Sequence, residues 1–405
     1  MNVIIIGGGA SGMMAGIVAA SNGNKVTILE HKDKIGKKLL ATGNGRCNLT
    51  NASLLNEPWK SYPLCDTNVI KEIFRQFSYE DTCDFFYDLG IILKDRNGLK
   101  YPLSDQASAV LDALRFKLYE LSVNIICDCG VKDIKSPQGN KKEFEIQTDK
   151  GILRADRVIL STGSKAQPKL GSDGSGYELS KRLGHHVVNI TPGLVQLRCK
   201  GEQYKALAGV RCQAKLYLYE NDKTIYEEEG ELQFTAYGIS GIVTMNVSNY
   251  LAECDIKKSR IEADLLPGMP FEELKEELFK RAERFKEREA VFLLNGMLPR
   301  KLIEVLLKEC GIKTGDIIGG IHKNTLCKLM EKIKNYSIEI TGTNTFDEAQ
   351  ICLGGVDVKD IKPTMESKLV PGLYFCGEIL NLHGNCGGFN LQLAWSTGAI
   401  AGRVM

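Results

Sequence analysis

The stretch from Met1 to Glu30 restricts the fold of this chain more than any other. Asn2-Val3-Ile4-Ile5-Ile6 is a β-branched run of strand type. It leads into Gly7-Gly8-Gly9-Ala10-Ser11-Gly12, which places glycines at the G-x-G-x-x-G positions Gly7, Gly9 and Gly12. Small residues continue through Ala15, Gly16, Ala19 and Ala20, where a helix must lie close against a sheet. A second strand, Lys25-Val26-Thr27-Ile28-Leu29, ends in Glu30. Strand, tight turn, helix, strand and acid in this order predict a parallel βαβ unit.

Each part has a task in holding a dinucleotide. Gly7 permits the turn, Gly9 lets the backbone approach a pyrophosphate, and Gly12 lets helix and strand close on each other. The helix starting at Ala10 and Ser11 offers unpaired N–H groups and its positive dipole end to the phosphates. Glu30 can accept hydrogen bonds from ribose hydroxyls, and an acid there argues against a 2′-phosphate.

Bulk properties narrow the rest. A chain of 405 residues allows two or three domains. Its net charge of +2 gives no general basis for capture by nucleic acid or an anionic membrane, so a small-molecule substrate is the expected partner. No apolar run reaches the length of a membrane span, and no targeting signal is expected ahead of the first strand. Thirteen scattered cysteines, with no C-x-x-C, predict neither a zinc site nor a dithiol centre. Their odd number favours reduced thiols in a cytoplasm. His31 and His322 have no ligand partners in sequence, and His185 and His186 are read as a helix end, so no metal is predicted.

Lys37 to Asn51 is a polar segment with glycines and asparagines at turn-forming density, read as a loop beside the ligand with Arg46 and backbone amides lining it. Residues 67 to 123 turn helical, with Ser104 predicted to cap a helix from Asp105 to Leu121. Short strands follow at Asn124–Cys127, Val131–Ile134 and Phe144–Thr148, the last two parted by a turn at Ser136–Asn140. Val158–Ser161 is a buried-type strand whose end, Thr162-Gly163, is where a doubly wound sheet makes ligand contacts. Gly171–Gly176 opens a helix from Tyr177 to Leu183, but its order is wrong for a second dinucleotide fingerprint.

Composition shifts near Thr191. Strands are predicted at Leu194–Cys199, Gly209–Tyr219, Lys223–Glu229, Glu231–Thr235 and Arg260–Leu265. Residues 271–334 are helical and charged, and strands return at Ser337–Thr341 and Gln350–Cys352. At the far end Pro371–Glu378 is a short strand closing on glycine and an acid. Gly384 to Gln392 then opens a helix of small residues. Two glycine-led helix starts from opposite parts of the chain suit a ligand with two poles, a pyrophosphate and a flavin ring.

These pieces resemble the two-dinucleotide-binding-domain flavoproteins. Within them the chain is similar to the bacterial FAD-dependent family that includes the 3-dehydro-bile acid Δ4,6-reductase type and aminoacetone oxidases. The resemblance covers essentially the whole chain, most specifically Gly7–Gly12, Ala41–Asn51, Gly354-Gly355-Val356 with Thr364–Lys368, and Gly377-Glu378 with Gly387–Gln392. It implies FAD, with Glu30 on the adenosine ribose and Val131 near the adenine. It also places Gly43, Asn44, Gly45, Arg46, Cys47 and Asn48 beside the isoalloxazine. Gly377, Glu378, Gly388, Phe389, Asn390 and Leu391 would hold the ribityl chain and pyrimidine edge, and Lys38 joins these cofactor contacts.

The implied fold class is α/β: a Rossmann-like FAD-binding domain, residues 1–190 and 345–405, interrupted by a β-barrel-like domain. That insert, residues 191–266 and 335–344, is read as the substrate side and hosts a helical module over 267–334. The chain departs from relatives at Ala236-Tyr237 and Ile242, where they carry a histidine and a proline, and at Asn381, where they carry an acid. A Gly-Arg before the middle Phe-Pro turn of relatives is replaced by Gly98-Leu99-Lys100-Tyr101-Pro102. The departures bear on substrate and not on FAD.

The chemistry implied is reduction, with NAD(P)H as electron donor, of an electron-poor C=C conjugated to a ketone. Such a reaction needs a proton donor for the α-carbon and a group polarising the carbonyl, for which Tyr237, Tyr101 and His383 are candidates. Arg46 is a candidate for orientation or for stabilising a reduced, anionic ring. Cys47 and Cys386 are read as structural thiols. Two other classes fit the same motifs: an amine oxidase releasing hydrogen peroxide, and a flavoprotein that modifies RNA.

Overall fold

A computed structural model describes residues 1–137 and 142–403. The predicted turn residues Gln138, Gly139 and Asn140 lie outside the described residues. The chain divides into two compact units, Met1–Pro192 with Gln350–Met405, and Gly193–Ala349.

The first unit begins with β1 (Asn2–Ile6), α1 (Ala10–Ser21), β2 (Lys25–Leu29) and the short α2 (Lys37–Ala41). After β3 (Thr50–Asn51) come α3 (Thr67–Gln76), α4 (Tyr79–Asp88), the hairpin β4 (Leu93–Arg96) and β5 (Leu99–Pro102), and α5 (Ala107–Glu120). β6 (Asn124–Ile126), β7 (Val131–Lys135), β8 (Phe144–Thr148), β9 (Gly151–Ala155), β10 (Arg157–Leu160), α6 (Ser175–Arg182) and β11 (Val187–Gly193) complete its first pass. In the second unit lie β12 (Leu197–Cys199), α7 (Gln203–Leu207), β13 (Arg211–Glu220), β14 (Lys223–Thr235), β15 (Gly238–Ser240), α8 (Ile242–Leu251) and β16 (Ser259–Asp264). α9 (Phe271–Arg284), α10 (Arg300–Glu309), α11 (Lys323–Lys334), β17 (Tyr336–Ile338) and β18 (Ile340–Thr343) follow. β19 (Ile351–Val356), β20 (Leu373–Phe375) and α12 (Phe389–Gly402) return to the first unit.

The central sheet of the first unit has the order β20-β10-β1-β2-β6, and every neighbouring pair is parallel. Val3 to Ile6 are all buried, as the near-continuous apolar run of β1 requires when both faces of a parallel sheet are covered. α1 and α12 pack so closely that a side chain at Gly398 would stand 2.6 Å from the Ser11 carbonyl oxygen. Two antiparallel three-stranded sheets, β3-β5-β4 and β7-β8-β9, flank this core. The second unit is built on a seven-stranded sheet of order β17-β16-β13-β14-β15-β12-β18, with its own buried cluster shared by α7 to α11.

Several expectations need correction. Ser104 does not cap α5, which starts at Ala107 after Gln106. The intervening Asp105 takes a left-handed conformation (φ 54°) and binds Lys94 at 2.5 Å and Arg96 at 2.6 Å, so its turn displaces the helix start. The two strands predicted on either side of Gly230 are one, β14, because Gly230 stays in register opposite Ala214. α8 was not predicted; its mixed β-branched and polar sequence hides a helix that is buried along most of its length. The Lys37–Asn51 segment is also less irregular than expected, since α2 and β3 bracket its glycine turn.

Candidate active site: a dinucleotide cradle closed by two helix starts

The first wall of the site is local to the N-terminal βαβ unit. The Ser161 hydroxyl donates to the Gly7 carbonyl at 2.8 Å, which ties the turn to the end of β10. Gly12 has no room for a side chain, because a Cβ there would lie 2.0 Å from the Gly7 oxygen. No side chain caps α1, so its first N–H groups remain available for phosphate oxygens, and the space next to Gly9 is open. Glu30 is buried, and its carboxylate accepts from the Gly8 N–H and the Lys32 N–H, each at 2.9 Å. Burial alone would raise its pKa. Hydrogen bonds from His31, Lys32 and Gly8 outweigh that and hold it below the usual carboxylate range. The bond to Glu30 in turn raises His31, against the effect of burial. An ionised carboxylate has more acceptor sites than these contacts use, which leaves capacity for a ribose hydroxyl. Val131 opens β7 close by: the Cys129 N–H reaches the Glu30 carbonyl at 2.9 Å.

Behind the turn, Lys38 and Glu378 form one pair, with Nζ and Oε2 2.6 Å apart. The Ser164 hydroxyl donates to the same oxygen at 3.1 Å. Gly163 turns left-handed (φ 73°), while Thr162 Oγ1 and the Tyr177 hydroxyl are buried without a partner.

The second wall joins residues far apart in sequence. Asn44 and Cys47 adopt left-handed conformations with φ of 54° and 59°, a strained loop of the kind found at binding sites. Asn48 Oδ1 is buried and unpartnered. The Thr50 hydroxyl donates to Gln392 Oε1 at 2.5 Å, and Gln392 Nε2 reaches Thr82 Oγ1 at 2.6 Å and Ser396 Oγ at 3.0 Å. Trp395 Nε1 donates to the Leu49 carbonyl at 3.0 Å, and the Tyr62 hydroxyl donates to the Phe389 carbonyl at 2.8 Å. This network fixes the start of α12 against the Asn44–Asn51 loop. Gly388 takes φ 90° there, where a Cβ would stand 2.9 Å from the Thr50 oxygen. α12, like α1, has no side-chain cap. The Asn390 amide is committed to the Gly384 and Asn385 carbonyls, so among Gly388–Leu391 the free polar groups are backbone.

The candidate catalytic residues are drawn from both units. Arg46 is exposed on the loop, and its charge acts on the half-buried Tyr101, whose ring borders Gly43. Burial nevertheless raises the Tyr101 hydroxyl. His383 is buried, and burial lowers it to about 4, so it is neutral near pH 7 and is no ready proton donor as an imidazolium. Cys47 is fully buried and pushed up to about 12, an inert thiol. Tyr237 belongs to the second unit. Its oxygen accepts from Asn344 Nδ2 at 3.0 Å, and the Arg198 guanidinium lies 5.4 Å from its ring centre. Arg198 and Asn344, bonded to each other at 3.0 Å, were missed by sequence reasoning because no local motif joins residues so far apart. Among the described residues no group of side chains could hold a metal ion, and no helix is long and apolar enough to cross a membrane.

Two uncapped, glycine-led helix starts, a buried ribose-type acid and unpartnered buried Thr162 and Asn48 atoms fit a long dinucleotide with polar groups at both ends. The chain is an FAD-dependent oxidoreductase with a Rossmann-like FAD-binding fold. It belongs to the family described as HI0933-like protein Rossmann domain, which matches residues 1–404. It is 40% identical over 405 residues, 99% of this chain and 98% of the relative, to the 3-dehydro-bile acid delta(4,6)-reductase of Clostridium scindens. A ribosomal RNA dihydrouridine synthase of Haemophilus influenzae is 28% identical, with 97% of this chain and 96% of that protein covered. Among solved structures, a 3-ketosteroid-delta4-(5alpha)-dehydrogenase from Rhodococcus jostii matches with a TM-score of 0.53 at 15% identity, covering 99% of this chain and 95% of its own. A flavocytochrome c3 fumarate reductase matches with a TM-score of 0.55 at 15% identity, covering 99% and 77%. These two likenesses are of fold.

Proposed function

We propose that this chain reduces an electron-poor C=C conjugated to a ketone in a steroid-like skeleton of the 3-dehydro-bile acid type, with NAD(P)H as electron donor. The observation that carries the reading is the 40% identity, end to end, with a relative described as a 3-dehydro-bile acid delta(4,6)-reductase. FAD held in the cradle supplies hydride transfer. The chain itself contributes the anchoring: Gly7–Gly12 for the pyrophosphate, Glu30 for the ribose, and the Gly388 helix start with the Gly43–Asn48 loop for the ring. Lys38, Thr162, Gly163, Gly377 and Glu378 complete the cofactor contacts, with Val131 at the adenine. Arg46 and Tyr101, on adjoining segments, are assigned to orienting the ligand, and Tyr237 with Arg198 and Asn344 to the substrate side. Residues 191–266 and 335–344 then form a barrel-like substrate domain that hosts the helical module 267–334.

A second reading is modification of RNA. Uridine also presents a C=C conjugated to a carbonyl, and the Haemophilus relative is a dihydrouridine synthase. The observation favouring it is the Phe285 ring, with Arg284 at 5.5 Å and Arg288 at 5.0 Å. Neither guanidinium has a carboxylate partner among the described residues, and this pairing of basic and aromatic groups suits a nucleic acid.

Anaerobic photometry of the purified yellow protein separates the readings. Bleaching by NADH or NADPH followed by reoxidation with a 3-oxo-4-ene steroid, faster than with air, supports the first. New dihydrouridine in undermodified ribosomal RNA, with no response to the steroid, supports the second. Bleaching by an amine with peroxide formed in air would assign an oxidase. A colourless protein that takes up no FAD overturns all three.

A further inference from the structure

His383 lies in the loop that leads from Glu378 into α12. Its residue is only 8% exposed, yet neither Nδ1 nor Nε2 has a hydrogen-bond partner. The loop around it is firmly held. The His383 N–H donates to Cys65 Sγ at 3.3 Å, and the Cys65 thiol donates back to the His383 carbonyl at 3.3 Å. Next to it the Gly384 N–H donates to Asn390 Oδ1 at 2.8 Å, and the Asn385 N–H donates to the Ser61 carbonyl at 2.9 Å. The backbone that carries the ring is therefore fixed in place. Burial keeps the ring neutral, with one N–H donor and one lone pair. Buried polar groups of native proteins are almost always paired, so a fixed ring with two idle nitrogens marks a place where another molecule completes the bonding.

The other idle atoms of this unit point the same way. Asn48 Oδ1 is unpartnered on the loop that packs against Gly388, where a Cβ would come within 3.1 Å of Asn48 Cγ. His383 and Asn48 thus sit on the two segments that frame the start of α12. A neutral imidazole N–H can donate to a carbonyl oxygen, and a flavin ring and an enone ketone both present one.

We propose that His383 is a ligand-binding residue that donates a hydrogen bond to a carbonyl oxygen, either of the bound FAD ring or of the enone ketone. It rests on the reading of this site as an FAD-dependent enone reductase. The sequence offers His383 only as one of three candidate donors; the pairing of burial with unmet bonding singles it out.

The test follows the imidazole nitrogens of His383 by long-range 1H–15N NMR in full-length protein labelled at its 5 histidines, assigned against His383→Gln. FAD is added to the apoprotein, then androst-4-ene-3,17-dione to the holoprotein. The expected result is a downfield move of the protonated nitrogen at one addition, which identifies the carbonyl. His383→Leu should weaken binding of that same ligand about tenfold, and His383→Gln, which keeps a donor, should weaken it less than about threefold. If the protein turns yellow, binds the steroid and leaves the His383 nitrogens unmoved, the proposal is overturned while the reading of the site stands. If the protein takes up FAD but not the steroid, and the nitrogens stay unmoved, the proposal and the enone assignment both fail. Uptake of neither ligand overturns the FAD reading as well. Should His383→Leu fail to fold, the wild-type spectra alone decide.

Discussion

The starts of α1 and α12, both uncapped and led by glycine, are held in place by different means. At α1 the turn, the helix and Glu30 come from one continuous stretch, tied down by the Ser161 hydroxyl on the Gly7 carbonyl and by the Ser11 hydroxyl on the Cys376 carbonyl. At α12 the local bonds of Asn390 to Gly384 and Asn385 are joined by remote ones, in which Thr50, Thr82, Tyr62 and Leu49 reach across to Phe389, Gln392 or Trp395. The first start is specified by covalent sequence and tight backbone packing. The second is specified by side chains that meet only once the unit has folded. The difference teaches that the pyrophosphate end of the site should be rigid and intolerant, and the ring end adjustable.

The largest effect should come from Gly12→Ala. Its Cβ would meet the Gly7 backbone oxygen at 2.0 Å, which no rotamer relieves. Loss of more than about 3 kcal/mol of stability, with no FAD uptake, is expected in denaturant titration. A folded, yellow Gly12→Ala protein would break the comparison.

Acid should weaken the α12 side next. In the unfolded chain His383 takes up a proton near its ordinary pKa of about 6.5, whereas the folded ring resists until about 4. Its contribution is therefore fully present above about pH 6.5, declines as pH falls, and reaches a loss of about 3 kcal/mol below pH 4. His383→Leu should flatten that part of the stability–pH curve, measured by urea denaturation from pH 4 to 7. Parallel curves for the two proteins would remove His383 as its source.

Glu30→Ala removes an ionised ribose acceptor, so FAD affinity should fall by about 1.5–3 kcal/mol in fluorescence titration. Unchanged affinity would remove Glu30 from the site. The smallest effect belongs to Gly388→Ala, about 1 kcal/mol of strain at a positive φ. Because the approach to the Thr50 oxygen is 2.9 Å, against 2.0 Å at Gly12, a far smaller adjustment is needed, and FAD should still bind with an altered visible spectrum. A cost above that of Gly12→Ala would reverse the contrast.

The same contrast governs what could be read in the sequence. β1, α1, β2 and Glu30 were legible because each element follows from its own residues and their spacing. α12 was legible as a helix opened by glycine, but its attachment to Thr50 through Gln392 was not. Lys38 and Glu378 each stood out separately, and only the fold shows them as a pair. Gly230 looked like a strand break because glycine usually weakens a strand, whereas pairing with Ala214 keeps β14 whole. Tyr237 was visible as a departure from relatives. Arg198 and Asn344, which hold it, were invisible because their meeting depends on the seven-stranded sheet.

The first unit is discontinuous, and this bears on how the protein is made. A ribosome must finish the whole of Gly193–Ala349 before α12 exists to pack on α1. Until then the nascent chain carries a completed phosphate turn beside an uncovered apolar helix face, a state open to chaperones and to aggregation. If both helix starts hold the cofactor as proposed, its capture waits on near-complete translation. On the proposed reading of the site, a chain cut short in the second unit holds at most half of its ligand.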